Sequence, residues 1–294
     1  MALVWSPSSP RSPSPPDDGV CASDRLPGPL PEYPTDATTG VPPGTRLKMV
    51  RGDYHTSSDG EVIDRLHITG RLYVDHDDVT VKCTRVRKMT VNRGTDLRMW
   101  LSTLGDPNGV REGAALKSEN YTLRRVEILG TFDGLKAEGD VDVRDSYIHD
   151  LFRTRDRSQD SGMTHNDGVQ IDKGSDMVFK HNTFYGWSFS DGERAGAHIL
   201  KEPYGDGSGY MTSAFMIAAG RGDVKDVLIE DNLIRGRTSK PIIAVEERGK
   251  DIVDLRIIDN VLGRENRDYP QVFAVVDHAT VKGNVFLDGD KVRR

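Results

Sequence analysis

The chain carries a short repeated pattern of apolar and polar positions. In the clearest copy, Met177-Val178-Phe179-Lys180-His181-Asn182-Thr183-Phe184, apolar residues stand at Met177, Phe179 and Phe184 around an asparagine at Asn182. The frame apolar-x-apolar-x-x-Asn-x-apolar returns around three later asparagines, and around three earlier residues that replace the asparagine. These corner residues are Asn232, Asn260 and Asn284 downstream, and Ser146, Val126 and Thr84 upstream. Alternation with a period of two predicts β-strands.

The spacing of the copies indicates a solenoid. Successive corner positions lie between 20 and 50 residues apart, so the unit tolerates insertions. Strands this short cannot bury their apolar side alone, and they must stack on one another. Asparagines at one corner can then align their amides at the strand spacing of about 4.8 Å. We therefore predict an all-β parallel β-helix with a structural ladder of Ser146, Asn182, Asn232, Asn260 and Asn284.

The chain divides into an arm and a body. Residues 1–44 hold eleven of the fifteen prolines, which predicts an extended Pro/Ser-rich arm without strands or helices. This arm is either a tether that docks on another protein or a disordered linker. Residues 45–294 form the predicted β-helix domain, with surface insertions at about 153–166 and 187–212. The segment 44–60, with or without the arm, is the candidate cap for the open end of the solenoid.

Composition and charge exclude several classes of function. A hydrophobic content of 36% and a mean hydropathy of -0.54 suit a thin solenoid with a narrow core. The net charge is -6 and the sequence has no dense Lys/Arg stripe, so nucleic acid is not an expected partner. The first residues lack the pattern of a secretory signal peptide, and no segment has the length and apolarity of a membrane span. Membrane insertion is therefore not expected.

The two cysteines and one short segment allow further predictions. Cys21 lies in the arm and Cys83 in an early coil, and neither has thiol or histidine partners at metal-binding spacing. We expect no disulfide, no metal site and no cofactor, with Cys83 an outward-pointing free thiol. The segment Asp96-Leu97-Arg98-Met99-Trp100-Leu101 is predicted to be a short helical piece.

The insertion at 187–212 concentrates aromatic and charged residues. Aromatic faces stack on the C–H faces of sugar rings, and planar polar groups bind their hydroxyls. The candidate glycan-binding residues are Trp187, Tyr185, Tyr204, Tyr210, Lys201 and Glu202. The alternative is that these aromatics pack the loop onto the solenoid wall, and both interpretations stay open.

Two Asp-Gly turns supply the candidate catalytic residues. Asp133-Gly134-Leu135-Lys136 aligns with Asp167-Gly168-Val169-Gln170, so Asp133 and Asp167 are expected to stack on one face, with His165 close to Asp167. A stacked carboxylate pair would suit the separation of about 5 Å found in retaining glycosidases. Asp before Gly is also common turn chemistry, and we favour the turn over catalysis.

The repeated coil, the asparagine corner and the string His165-Asn166-Asp167-Gly168-Val169-Gln170-Ile171 resemble right-handed parallel β-helix proteins of the pectate-lyase-like superfamily. The segment 39–47 is similar to the start of β-helix minor tail proteins of actinobacteria and their phages. This resemblance implies a homotrimeric virion protein of a phage tail, cytoplasmic until lysis. It also implies attachment to other tail proteins through residues 1–44 and binding of host cell-surface polysaccharide.

The resemblance also implies an enzymatic alternative. Asn166-Asp167-Gly168 resembles part of the Asn-Thr-Asp-Gly motif of polygalacturonases, in which the Asp belongs to the catalytic carboxylates. Gly196-Ala197-His198 stands where those enzymes have Gly-His-Gly, and their Arg-Ile-Lys is missing. A polysaccharide lyase or glycoside hydrolase is therefore the second function that the sequence suggests, after host-surface binding.

Overall fold

The computed structural model describes residues 21–159, 162–190, 194–195, 210–265 and 272–292. These residues form 28 β-strands, and nearly all of them belong to two sheets in which neighbouring strands run parallel. The parallel β-solenoid predicted from the repeat is confirmed. Within the described ranges no helix is long and apolar enough to cross a membrane.

Each coil contributes strands to three faces. The first face precedes the corner residue and holds β3 (Val62–Asp64), β5 (Thr80–Lys82), β7 (Leu97–Trp100), β10 (Tyr121–Arg124), β13 (Val141–Arg144), β17 (Met177–Lys180), β21 (Val224–Glu230), β24 (Ile252–Ile258) and β27 (Thr280–Lys282). The second face follows the corner and holds β1 (Lys48–Val50), the first parts of β4 (Leu66–Val74) and β6 (Arg85–Val91), then β8 (Thr103–Gly105), β11 (Glu127–Leu129), β14 (Tyr147–Ile148), β18 (Thr183–Gly186), β22 (Leu233–Gly236), β25 (Val261–Leu262) and β28 (Val285–Phe286).

The third face closes each coil. It holds β2 (Tyr54–His55), the last parts of β4 and β6, then β9 (Ala114–Ser118), β12 (Asp133–Ala137), β16 (Asp167–Ile171), β20 (Ser213–Ala218), β23 (Ile243–Glu246) and β26 (Phe273–Ala274). A separate pair, β15 (Leu151–Arg153) and β19 (Ser188–Ser190), extends two coils between the second and third faces.

The core is a column of inward side chains held in register. Leu135, Val169 and Phe215 are paired across β12, β16 and β20, and each is fully buried. Because every strand is too short to bury its apolar side alone, each coil depends on the coils next to it. The fold is therefore set by the repeat frame and not by any single segment.

The segment at Leu97–Trp100 is a strand, so the prediction of a helical piece over Asp96–Leu101 is wrong. Leu97 and Met99 are fully buried, and β7 pairs with β5 on one side and β10 on the other. The residues follow the repeat frame, with Ser102 at the corner. Packing between the two neighbouring strands outweighs the helix propensity of Leu, Arg and Met.

Residues 21–44, which we call the strap, lie against the corner between the first and second faces. The Leu30 amide donates to Asp145 at 3.1 Å, and the Tyr33 hydroxyl donates to Asp231 at 2.9 Å. The chain then returns, and the Gly40 amide donates to the Arg125 carbonyl at 3.0 Å. Residues 35–39 of the strap form a turn in which the Thr38 and Thr39 amides donate to the Thr35 carbonyl, and the strap packs on its own solenoid.

A disulfide joins Cys21 of the strap to Cys83, with an S–S distance of 2.06 Å. The prediction of no disulfide and of a free thiol at Cys83 is therefore wrong. Cys83 does occupy an outward position, with a φ of 46° at the turn before the corner residue. There it meets the strap, and the two cysteines form a small buried cluster with Trp100 and Leu101 outside the solenoid core.

The segment 44–60 covers one end of the solenoid. β1 pairs with β4 at Leu66–Ile68, and β2 pairs with the same strand at Leu72 and Tyr73. These strands occupy the edge that the second and third faces would otherwise expose. Among the described strands β3 pairs only with β5, so the edge of the first face has no further strand there, and Val62 is 54% exposed.

Candidate functional site

The longest connections leave the solenoid at the corner between the second and third faces, which we call the loop corner. The segments 106–113, 154–166 and 191–212 precede β9, β16 and β20. The first residues of the third-face strands, including Asp133 and Asp167, therefore lie at the base of these loops. Loops grouped at one edge of a rigid scaffold commonly carry binding sites.

Asp133 and Asp167 come together at the loop corner. The Asp167 amide donates to Asp133 Oδ1 at 2.9 Å. Asp167 is 2% exposed, whereas Asp133 keeps part of its surface accessible. Burial raises the pKa of Asp133 to about 6, and burial together with repulsion from Asp133 raises the pKa of Asp167 well above its ordinary value. The pair therefore holds a proton under mildly acidic conditions.

The Asp167 carboxyl also faces the next coil. A hydrogen bond from the Ser213 amide partly offsets the rise in its pKa. Asp133 and Asp167 thus each accept from the backbone of the following coil, as turn residues in a ladder do. Within the described residues Asp167 Oδ1 has no hydrogen-bond partner. Asp133 is the member of the pair that keeps part of its residue surface accessible, whereas Asp167 is buried.

His165 and Asn166 complete the loop corner in different ways. His165 is exposed, and partial burial of its ring together with Lys240, Arg153 and Arg248 lowers its pKa. Asn166 is fully buried, and its Nδ2 donates to the carbonyls of Phe132 at 2.8 Å and Phe152 at 2.6 Å. Asn166 therefore fixes the loop ends, a role that the resemblance to a catalytic motif did not indicate.

Polar side chains continue outward along the third face. Lys136 Nζ donates to Gln170 Oε1 at 3.2 Å and pairs with Asp172 Oδ2 at 2.7 Å. Lys117 is exposed at the same register on the preceding coil. These residues were not among the sequence candidates, although the alignment of the two Asp-Gly turns already put Lys136 and Gln170 at equivalent positions.

The three aromatic candidates among the described residues are not arranged as one stacking surface. Trp187 is only 9% exposed, so its ring packs against the wall and offers little area to a sugar. Tyr185 lies half-buried on the second face, 6.1 Å from Trp187 between ring centroids. Tyr210 is half-buried, with the Arg237 guanidinium 4.7 Å from its ring centroid. Lys201, Glu202 and Tyr204 lie outside the described residues.

A buried charge cluster on the second face was not predicted from the sequence. His149 Nδ1 lies 2.8 Å from Asp150 Oδ2, and Nε2 lies 3.3 Å from Glu127 Oε1. Burial lowers the pKa of His149, but the hydrogen bonds to the two carboxylates outweigh it and raise the pKa to about 9. Because both ring nitrogens are occupied, this imidazolium serves as a structural cation and not as a base.

The corner asparagines form a continuous ladder. Asn182, Asn232 and Asn260 each donate from Nδ2 to Oδ1 of the next asparagine, at 3.0, 2.9 and 2.9 Å, with Asn284 the last acceptor. Each Oδ1 also accepts a backbone amide, and the Ser146 amide donates to Asn182 Oδ1 at 2.9 Å. These side chains are buried, so the ladder is a structural element and cannot contact a ligand.

Comparisons with protein-family models, curated proteins and solved structures give no match for this chain. In the parts of the chain that the structure describes, no group of three or more His, Cys, Asp or Glu side chains is arranged to hold a metal ion. The function must therefore be argued from the loop corner and the third face alone.

Proposed function

We propose that this protein binds a cell-surface glycan along its third face, beside the loop corner. The observation that carries the proposal is the row of outward polar groups on consecutive coils at Lys117, Lys136 and Gln170, flanked by Asp133 and Asp172. Coils repeat at about 4.8 Å, so donors and acceptors recur along the axis as hydroxyl groups recur along a polysaccharide. The sheet fixes the backbone positions of these residues, and Lys136 is further held by Gln170 and Asp172, which limits the entropy lost on binding.

The setting that we propose is a phage tail, following the resemblance of the repeat and of residues 39–47. In that setting the protein is a homotrimeric virion component and its ligand is host surface polysaccharide. Cys21, Leu30 and Tyr33 hold this part of the arm on the protein's own solenoid, while most residues of 21–44 keep an exposed surface. We place attachment to other tail proteins in residues 1–44.

Binding to a panel of purified bacterial cell-wall and capsular polysaccharides tests the glycan proposal. For a polysaccharide that binds, Lys136→Ala combined with Gln170→Ala should weaken affinity about tenfold, as expected for two lost polar contacts. Lys225→Ala, on the first face, is the matched control and should bind as the unchanged protein does. Equal affinity for the third-face variant and the control would reject this face as the binding surface.

A second candidate function rests on Asp133. A carboxyl whose pKa is raised by burial to about 6 has the properties of a general acid near neutral pH, which favours a glycoside hydrolase or lyase as the alternative. The buried Asp167 cannot supply the second group, and Asp172, a carboxylate close enough to raise the pKa of both aspartates, is paired with Lys136 at 2.7 Å. For this reason we rank binding above catalysis.

An assay for reducing ends and unsaturated sugars distinguishes the two functions. We expect no release from any polysaccharide of the panel by the unchanged protein. If release is observed, Asp133→Asn should abolish it while binding persists, because a general acid acts chiefly in the transition state. Turnover that depends on Asp133 would reverse our ranking.

A further inference from the structure

A polar cavity of about 160 Å³ lies toward the N-terminal end of the third face. It is lined by Asp53, Arg71, Tyr73, Arg87, Lys88 and Glu112. Tyr73 pairs in register with Thr90 of the next coil, and Thr90 pairs with Lys117. Lys117 in turn pairs with Lys136. The cavity therefore opens on the face that we propose for glycan binding.

Positive charge dominates this cavity. Glu112 Oε2 receives both Arg71 Nη2, at 2.6 Å, and Lys88 Nζ, at 3.2 Å, so one carboxylate serves two cations. Within the described residues Arg87 has no hydrogen-bond or ion-pair partner. Three cationic side chains against two carboxylates, Glu112 and Asp53, leave one positive charge unmatched.

The cationic side chains are held close enough together to repel one another. Lys88 is only 13% exposed, and its pKa is lowered by burial first and then by repulsion from Arg71 and Arg87, against the opposing effect of Glu112. Asp53 is already occupied, since its Oδ1 accepts the Arg71 backbone amide at 2.7 Å. A bound anion would relieve this repulsion.

We propose that this cavity binds a phosphate or sulfate group carried by the glycan, with Arg71, Arg87 and Lys88 as its ligands. Such a group offers at least three oxygen acceptors, which matches three converging cations better than a single acceptor would. In the structure the Glu112 carboxylate binds two of these cations, so it would compete with the anion. Tyr73 lines the cavity, and its ring is held between His55, stacked at 4.4 Å, and the Arg71 guanidinium, 5.6 Å from the ring centroid. The inference rests on the proposed glycan-binding function, to which it adds the chemical class of the ligand.

Isothermal titration of the full chain tests the site with five probes. These are inorganic phosphate, inorganic sulfate, a hexose 6-phosphate, a hexose 6-sulfate and the unsubstituted hexose. Arg87→Gln should weaken binding of the charged probes about tenfold, as for a lost charge-assisted contact. Arg93→Gln changes an exposed arginine outside the cavity and should have no effect. Glu112→Gln should tighten binding because it removes the competing carboxylate.

The outcomes separate the sources of the anion and the two proposals. Tighter binding of the hexose esters than of the inorganic ions supports a sugar-borne group, whereas equal binding makes this a site for a free ion and overturns the sugar-borne assignment. No binding of any charged probe, or equal affinities in the Arg87 and Arg93 variants, overturns the site. If the anion probes fail while a polysaccharide still binds through Lys136 and Gln170, the glycan proposal stands and only this inference falls.

Discussion

Several buried polar groups form hydrogen bonds with the side-chain amide of Asn232. Its Oδ1 accepts from the backbone and the side chain of Asn182, and its Nδ2 donates to Asn260 Oδ1 and to the Phe179 carbonyl. Asn232→Leu keeps the branched shape of the side chain but leaves these groups unpaired, at about 1–3 kcal/mol for each unsatisfied group. Urea unfolding should show a clear loss of free energy.

Asn108→Leu is the control for this substitution, because Asn108 is exposed in a loop. Its free energy of unfolding should change by less than about 0.5 kcal/mol. An unfolding midpoint for Asn232→Leu that matches this control would reject a stabilising ladder at that position.

The raised pKa values of Asp133 and Asp167 predict that the stability of the folded protein falls as the pH rises. The folded pKa of Asp133 is about 6 against an ordinary value of 3.8, and that of Asp167 is also raised. Between these values the folded state holds more protons than the unfolded state, so stability falls as pH increases from about 4 to 6 and beyond. Asp167→Asn should flatten this dependence and stabilise the protein at pH 7. Asp251→Asn, at an exposed position, should leave the profile unchanged, and a profile unaffected by Asp167→Asn would contradict the raised pKa.

His149 predicts a separate dependence at higher pH. Its folded pKa of about 9 exceeds the ordinary value of 6.5, so its stabilising effect is fully present below pH 6.5 and is lost as the pH rises through 9. Thermal unfolding between pH 6.5 and 9.5 should therefore show a decline that His149→Gln removes. His67→Gln, at a histidine with partial exposure, should retain the decline. A slope that is the same in all three proteins would exclude an imidazolium at His149.

At the scale of elements, the strap depends on its disulfide. The Cys21–Cys83 bond closes a loop of 62 residues, for which loop entropy predicts a stabilisation of about 4 kcal/mol. Replacing both cysteines by serine should lower the free energy of unfolding and speed hydrogen exchange in residues 21–44, while the strands keep their circular dichroism. A truncation of residues 1–20 ends before Cys21 and should change neither property. Loss of strand signal in the serine variant would mean that the strap is required for folding of the solenoid.

Elements that follow the repeat were predictable, and contacts between distant elements were not. The frame places Asn182, Asn232 and Asn260 in adjacent coils because one corner position specifies the register. The same frame contains Leu97 and Met99, but Ser102 at their corner and a helix-prone composition hid the strand. The disulfide was missed because Cys21 lies outside the repeat, and only the fold of the strap brings it to Cys83.

The candidate site also contains residues that the repeat predicts and residues that it does not. Asp133 and Asp167 could be paired from their matching Asp-Gly turns, since equivalent turns in adjacent coils stack. Burial of Trp187 could not be foreseen, because an aromatic residue in an insertion suits both a binding face and a packed wall. The cluster around His149 joins second-face strands β11 and β14, and its members share no local motif.

At the scale of the whole molecule, stability is shared between neighbouring coils. Central coils have a partner on both sides, whereas β27, among the strands that the structure describes, pairs only with β24. At this end residues 287–292 fold back, with a bridge from Val285 to Lys291 and the Arg264 guanidinium 3.9 Å from the Phe286 ring centroid. The terminal coil is therefore held by fewer contacts than any coil in the middle.

This difference predicts how many coils lose protection from hydrogen exchange when a ladder asparagine is substituted. Asn284 only accepts bonds from Asn260 within the ladder, so Asn284→Leu should speed hydrogen exchange in β27 and β28 and leave β17 and β21 protected. Asn232→Leu removes bonds on both sides and should speed exchange in β17, β21 and β24 together. Mass spectrometry of peptides from each coil resolves the two patterns. If Asn284→Leu deprotects all coils equally, the solenoid unfolds as one unit, and the nearest-neighbour account of its stability does not apply to this protein.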